Sequence, residues 1–211
     1  MKTRIFNLII IDESGSMNSI KQQAINSVNE TIQTIRAAQN RNENQEHFVS
    51  IVSFNHRVKL INDCVSIDEV KELTNESYQP NCSTALYDAM GISLSALRKR
   101  VAEEDRVLVT IVTDGYENAS IEYSVRDIRI LVDKLKKRGW VFAYIGANHD
   151  IEKAATSISI TNTMCFETTE EGVKEMSKNL ENSRAYWYDS VERREEKAEE
   201  SNKKFFSKWF K

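Results

Sequence analysis

Residues 5–11 are apolar at every position except Asn7. A strand with one face in water alternates apolar and polar side chains, whereas a strand buried on both faces reads as a nearly unbroken apolar run. Residues 107–112 form a second such run, with Thr110 its only polar member. Other segments keep a different period. Ile20, Ala24, Val28, Ile32 and Ile35 recur three or four residues apart, as do Leu86, Met90, Leu94, Leu97 and Val101. Val125, Ile128, Leu131, Val132 and Leu135 mark a third stripe, and Val173, Met176, Leu180 and Trp187 a last one. Such stripes belong to amphipathic helices. Lys136-Lys137-Arg138 followed by Gly139 gives the third helix a cationic last turn and a stop.

The β-rich runs 47–54 and 57–65 are separated only by Asn55-His56, which predicts a tight hairpin. Further strands are predicted at 140–145 and 159–166, with a short helix over 150–157. Strands alternating with helices, several of them apolar throughout, specify an α/β chain. The expected architecture is a doubly wound, mostly parallel six-stranded sheet with one antiparallel edge strand and helices on both faces.

With 211 residues, the chain has room for one domain and an appendage. Residues 1–188 are assigned to the domain and 189–211 to a charged helical tail with an aromatic, basic end. In 189–204 only Val191 and Ala198 are apolar; beyond them Phe205, Phe206, Trp209 and Phe210 share one helical face flanked by lysines. That face could pack on its own domain or a second copy, dock on another protein, or touch a membrane through residues 203–211. A single short patch of this kind binds lipid weakly without a second signal.

Lys+Arg 29 against Asp+Glu 32 leaves a net charge of −3, which gives no electrostatic reason to expect a nucleic-acid partner. One proline and six glycines exclude collagen-like, mucin-like and proline-rich designs. The basic start, Met1 to Arg4, followed by an apolar run could suggest a secretory signal. Asn7 interrupts that run, no small-residue cleavage site follows, and Asp12-Glu13 ends it abruptly, so a first strand is the better reading. Cys64, Cys82 and Cys165 are odd in number and widely spaced, which argues against a disulfide framework and for a cytoplasmic setting.

In such sheets, ligands bind beyond the carboxyl ends of the strands. Asp12-Glu13-Ser14-Gly15-Ser16 follows the first strand, Thr113-Asp114-Gly115 follows the run 107–112, and Ser83-Thr84 opens a helix between them. Two carboxylates with several hydroxyls make a hard, all-oxygen set suited to Mg²⁺ or Mn²⁺. Taken singly, Asp12, Ser14 and Ser16 read as a helix N-cap, Thr84 as another cap, and Asp114-Gly115 as a turn. Together, in this order, they favour a cation site.

Asp12-x-Ser14-x-Ser16, the later Thr84 and Thr113-Asp114-Gly115 resemble the metal-ion-dependent adhesion site (MIDAS) of von Willebrand factor A (vWA) domains. The resemblance covers roughly residues 3–188. It implies that Ser14, Ser16 and Thr84 bind a divalent cation through their hydroxyls, while Asp12 and Asp114 supply charge, through water or directly. It also implies a free coordination position for an Asp or Glu of a partner protein, hence a non-enzymatic protein-binding module. Where that family commonly carries glycine two residues before the threonine, this chain has Cys82.

One rival reading is a Mg²⁺-dependent phosphatase or hydrolase using Asp12 as nucleophile. Ser14 stands where such enzymes place a second carboxylate, and no lysine or histidine is placed by sequence to assist. Another is a scaffold acting through its helices and C-terminal tail. His47, His56 and His149 are scattered without zinc-ligand spacing. Cys82 reads as a structural thiol or a redox-sensitive group beside the site, and Glu117-Asn118 as a solvated loop or the rim of the site.

Overall fold

The computed structural model describes residues 2–146, 150–165 and 169–192. His149, Phe166 and most of the tail, residues 193–211, lie outside the described residues. The chain runs β1 (Thr3–Asp12), a 3₁₀ turn (Gly15–Ile20), α1 (Lys21–Arg41), β2 (Gln45–Phe54), β3 (Val58–Ser66) and α2 (Leu86–Arg98). It continues through β4 (Arg106–Val112), α3 (Val125–Lys137), β5 (Val141–Gly146), α4 (Ile151–Ser157), β6 (Thr163–Cys165) and α5 (Glu170–Glu192). Residues 189–192, assigned to the tail, continue α5.

The six strands lie in the order β3-β2-β1-β4-β5-β6. All neighbours are parallel except β2 and β3, whose hairpin puts the antiparallel strand at one edge. This is the doubly wound α/β sheet expected from the sequence. β1, at the centre, is buried from Ile5 to Asp12. Its alternate side chains serve two separate cores. Ile5, Ile9 and Ile11 pack with Val28, Ile32 and Ile35 of α1 and Met176, Leu180 and Trp187 of α5. Phe6, Leu8 and Ile10 pack with Met90 and Leu94 of α2, Ile128 and Val132 of α3, and Ala155 of α4.

The polar interruptions of the two apolar runs have partners. Asn7 accepts the Tyr188 hydroxyl at 2.6 Å, and Thr110 accepts from Arg184 Nη2 at 2.6 Å. The inner face of α5 therefore carries a polar cluster. Arg184 is fully buried, and its Nε and Nη1 have no partner among the described residues.

Local signals explain the element ends. α3 opens with a capping box: Ser124 and Asp127 exchange side-chain to backbone hydrogen bonds. It closes at Gly139, whose φ of +81° is the left-handed conformation that terminates helices. The strand expected over 159–166 is shorter, because Ser159 takes φ +62° and the Ile160 N–H returns to Ala155 O at 2.8 Å. Those residues finish α4 instead, and pairing with β5 is regular only from Thr163 to Cys165. Among the described residues no helix is long and apolar enough to cross a membrane.

Candidate metal centre

The strand order reverses at β1 and β4, the place where such sheets bind ligands. Ile11 pairs with Val112, so the loops leaving these strands start side by side. Asp12, the last residue of β1, is fully buried. Its Oδ1 accepts the Ser14 N–H at 2.7 Å and its Oδ2 accepts the Thr113 hydroxyl at 2.6 Å. The Tyr78 hydroxyl donates to the Asp12 carbonyl.

From this anchor the loop turns into the 3₁₀ segment. Ser14 occupies its N-cap position with extended backbone, yet its hydroxyl makes no capping bond. Instead Ser14 Oγ lies 3.2 Å from Ser16 Oγ, and the Ser16 hydroxyl donates to Asp114 Oδ1 at 2.7 Å. Thr84 is buried just before α2, whose N-cap is Ala85. Gly115 reveals how these groups converge. A Cβ built there would lie 3.3 Å from Thr84 Oγ1 and 3.5 Å from both Asp12 Oδ2 and Ser16 Oγ. Oxygens from three distant stretches of chain thus surround one small cradle. All five residues singled out in the sequence, Asp12, Ser14, Ser16, Thr84 and Asp114, contribute to it.

The donor set fits a small hard dication. Oxygens on adjacent corners of a Mg²⁺ octahedron sit about 2.9 Å apart, close to the two spacings along Ser14, Ser16 and Asp114. Among the described residues no group of three or more His, Cys, Asp or Glu is placed to hold a metal, so a cation here would rest on hydroxyls and two carboxylates. Burial holds the Asp12 carboxyl above the usual carboxylate range; bonds from Thr113 and Ser14 oppose this, and Asp114 adds to it. Asp114 is raised too, first by burial, against the pull of its Ser16 bond. Such carboxylates resist ionising alone, and an adjacent cation reverses that preference.

Several residues hold the loops in place: Glu13, to which the sequence gives no role, and Cys82, Glu117 and Asn118, which it reads as a thiol beside the site and as a solvated loop or its rim. Glu13 Oε1 accepts the Gln79 N–H at 2.6 Å, and Cys82 O accepts the Gly15 N–H at 2.9 Å. Cys82 itself takes φ +63°, the left-handed region that favours glycine. Asn118 Oδ1 accepts the Thr84 N–H at 2.9 Å. Glu117 accepts the N–H groups of Tyr87, Ala119 and Ser120, which ties its loop to the start of α2. Glu117 and Asn118 are therefore struts of the site. Their type is common in any loop, so only the folded chain reveals this.

Neither His47, buried in β2, nor His56, in the hairpin turn, enters the cradle. Among the described residues no disulfide joins Cys64, Cys82 or Cys165.

Residues 8–180 match the family model of the von Willebrand factor type A domain. Among curated proteins no sequence match is found. Solved structures share the fold. A mutant of the PilB minor pilin from Streptococcus sanguinis superposes with a TM-score of 0.62 at 14% identity, covering 92% of this chain and 64% of the pilin chain. The open form of the pilus adhesin SpaC from Lactobacillus rhamnosus GG gives 0.64 at 12% identity, covering 89% and 30%. A von Willebrand factor type A protein from Catenulispora acidiphila gives 0.54 at 14% identity, covering 84% and 42%. The chain thus spans less than two thirds of each of these longer structures.

Proposed function

The chain belongs to the von Willebrand factor type A family, and on that premise we propose that it is a non-enzymatic protein-binding module with a metal-ion-dependent adhesion site. Ser14, Ser16 and Thr84 offer hydroxyls to Mg²⁺ or Mn²⁺, while Asp12 and Asp114 supply the negative charge. The bound ion supplies an electrophilic position for an Asp or Glu carboxylate of a partner protein. The observation that carries this reading is the convergence of Thr84 Oγ1, Asp12 Oδ2 and Ser16 Oγ about Gly115. With only two carboxylates in the set, an ion keeps enough charge to gain a charge-assisted bond from a third.

The nucleophile reading of Asp12 finds less support. Both its oxygens are engaged by Ser14 and Thr113, and the residue is buried. A nucleophile needs an open face toward its substrate. The odd number and wide spacing of Cys64, Cys82 and Cys165 favour a reducing, cytoplasmic setting, although the similar structures include a minor pilin and a pilus adhesin.

Calorimetric titration with Mg²⁺ tests the site directly. The native chain takes up one ion, and at a hundredfold excess over Kd its unfolding free energy rises by about 2.7 kcal/mol. Ser14→Ala with Ser16→Ala removes both the uptake and the gain while the circular dichroism spectrum stays native. Partner capture from the native cell is lost with EDTA and with Asp12→Ala. Capture that survives both treatments overturns the proposal.

A further inference from the structure

The sheet has two poles of unlike charge. Strands β1 and β4 end at the metal centre, where Asp12, Glu13, Asp114 and Glu117 gather. The strands begin together at the other pole, since Thr3 pairs with Gln45 and Ile5 with Arg106. Helices α2 and α3 run back to that pole before β4 and β5 start. Arg138 Nη2 donates to Val101 O at 3.5 Å, which ties the end of α3 to the segment after α2. Arg98, Lys99, Arg106, Lys136, Lys137 and Arg138 are thereby gathered at one end of the sheet, all of them exposed. Helix C-termini attract cations on their own account, but Arg106 opens a strand, and Lys99 and Arg138 lie beyond their helices. Of the acids nearby, Asp105 is paired with Arg4 at 2.7 Å, and the exposed Glu103 and Glu104 offset only part of the remaining charge.

The same pole releases the C-terminal segment. Gln45, the first residue of β2, donates through Nε2 to Tyr188 O at 2.8 Å, so α5 ends here. Residues 193–202 hold three cations against four acids, a nearly balanced spacer. In 203–211 only Ser207 is neither lysine nor aromatic. Aromatic rings on one helical face with lysines around them have the composition that settles at a bilayer surface, and one such patch needs a second attraction to hold firmly. Exposed cations supply that attraction on an anionic leaflet. An acidic peptide or a nucleic acid would use the cations too, but four rings crowded into 205–210 suit the acyl boundary of a bilayer better than a charged partner surface.

We propose that this pole, together with residues 203–211, docks the chain on an anionic lipid surface. The rings enter the headgroup region, and the cations of α2, β4 and α3 face the lipid charge. The metal centre then points away from the lipid. The proposal does not rest on the function proposed above.

Sedimentation of the full chain with vesicles tests it. The probe is phosphatidylcholine containing about one third phosphatidylserine. Recovery is expected at about 0.15 M salt and falls steeply at about 1 M, where the screening length shrinks to about 3 Å; EDTA leaves it unchanged. Pure phosphatidylcholine recovers little. Each cation near such a surface strengthens binding about fivefold, so Arg98→Ser, Lys99→Ser and Lys137→Ser together weaken it roughly a hundredfold. Phe206→Ser with Trp209→Ser weakens it by roughly tenfold or more. Both variants keep the native circular dichroism spectrum. Absence of recovery with the anionic vesicles, equal recovery with neutral ones, recovery that both folded variants retain, or binding to poly-glutamate or single-stranded RNA in place of vesicles overturns the proposal.

Discussion

His47 sets a pH limit on the stability of this fold. The ring is fully buried at the start of β2, edge-on to Tyr188 at a centroid distance of 4.8 Å. Gln45 donates through its amide nitrogen to Tyr188 O at 2.8 Å, so Gln45 Oε1 faces the ring as an acceptor, and His47 Nε2–H donates to it at 3.0 Å. Nδ1 has no partner among the described residues. A second proton would enter at Nδ1, where nothing is placed to accept from it, and burial alone lowers the pKa from 6.5 to about 4.

The folded state therefore binds this proton less well than the unfolded chain. The neutral ring costs nothing above pH 6.5. As pH falls from there to about 4, the unfolded chain gains protons that the folded one refuses, and stability is lost. Two and a half units at about 1.36 kcal/mol each give a loss of about 3 kcal/mol, a large share of an ordinary domain's stability. Urea unfolding of the native chain and of His47→Gln, between pH 7.5 and pH 4, measures it. The difference between the two curves isolates this group from the carboxylates, which titrate in both. A difference that narrows steadily by about 3 kcal/mol across that window is expected. Two parallel curves refute the reasoning.

Gly115→Ala puts a methyl among Thr84 Oγ1, Asp12 Oδ2 and Ser16 Oγ; the chain folds but Mg²⁺ uptake by calorimetry falls at least tenfold. Arg184→Met removes a buried cation whose Nε and Nη1 have no partner among the described residues and keeps most of its apolar packing, so stability in urea is unchanged or higher by about 1–4 kcal/mol. Arg184→Ala leaves a hole in its place and lowers stability by about 3 kcal/mol. Cys82→Gly suits the left-handed backbone and leaves the melting temperature level or higher, whereas Cys82→Val, branched at Cβ, lowers stability by about 1–2 kcal/mol.

The sheet was legible because burial on both faces leaves a plain imprint: residues 5–11 and 107–112 could scarcely be anything but central strands. Helices with a clear stripe were equally readable, and α3 carried both of its end signals. The short strand β6 was not, since Ile158 and Ile160 are as apolar as a strand would be but reach the core from a turn after α4. The five residues of the candidate site could be named because each follows a strand end or opens a helix. Their supports were legible only in part: Glu117 and Asn118 read as a solvated loop or the rim of the site, not as struts. Glu13, Asn118 and Glu117 act through loop backbones, and no periodicity records which amide a carboxylate will meet. Cys82 is a mixed case: its departure from glycine stands in the sequence, while the backbone angle that gives it meaning appears only in the folded chain.

The bond between Thr113 and Asp12 joins residues 101 positions apart. During synthesis, the first carboxylate and both serines leave the ribosome long before their counterparts exist. A chain halted ahead of β4 carries Asp12, Ser14, Ser16 and Thr84 without Thr113 and Asp114. On the metal-site proposal, such truncated products lack part of the oxygen set and compete poorly with intact molecules for the same ion.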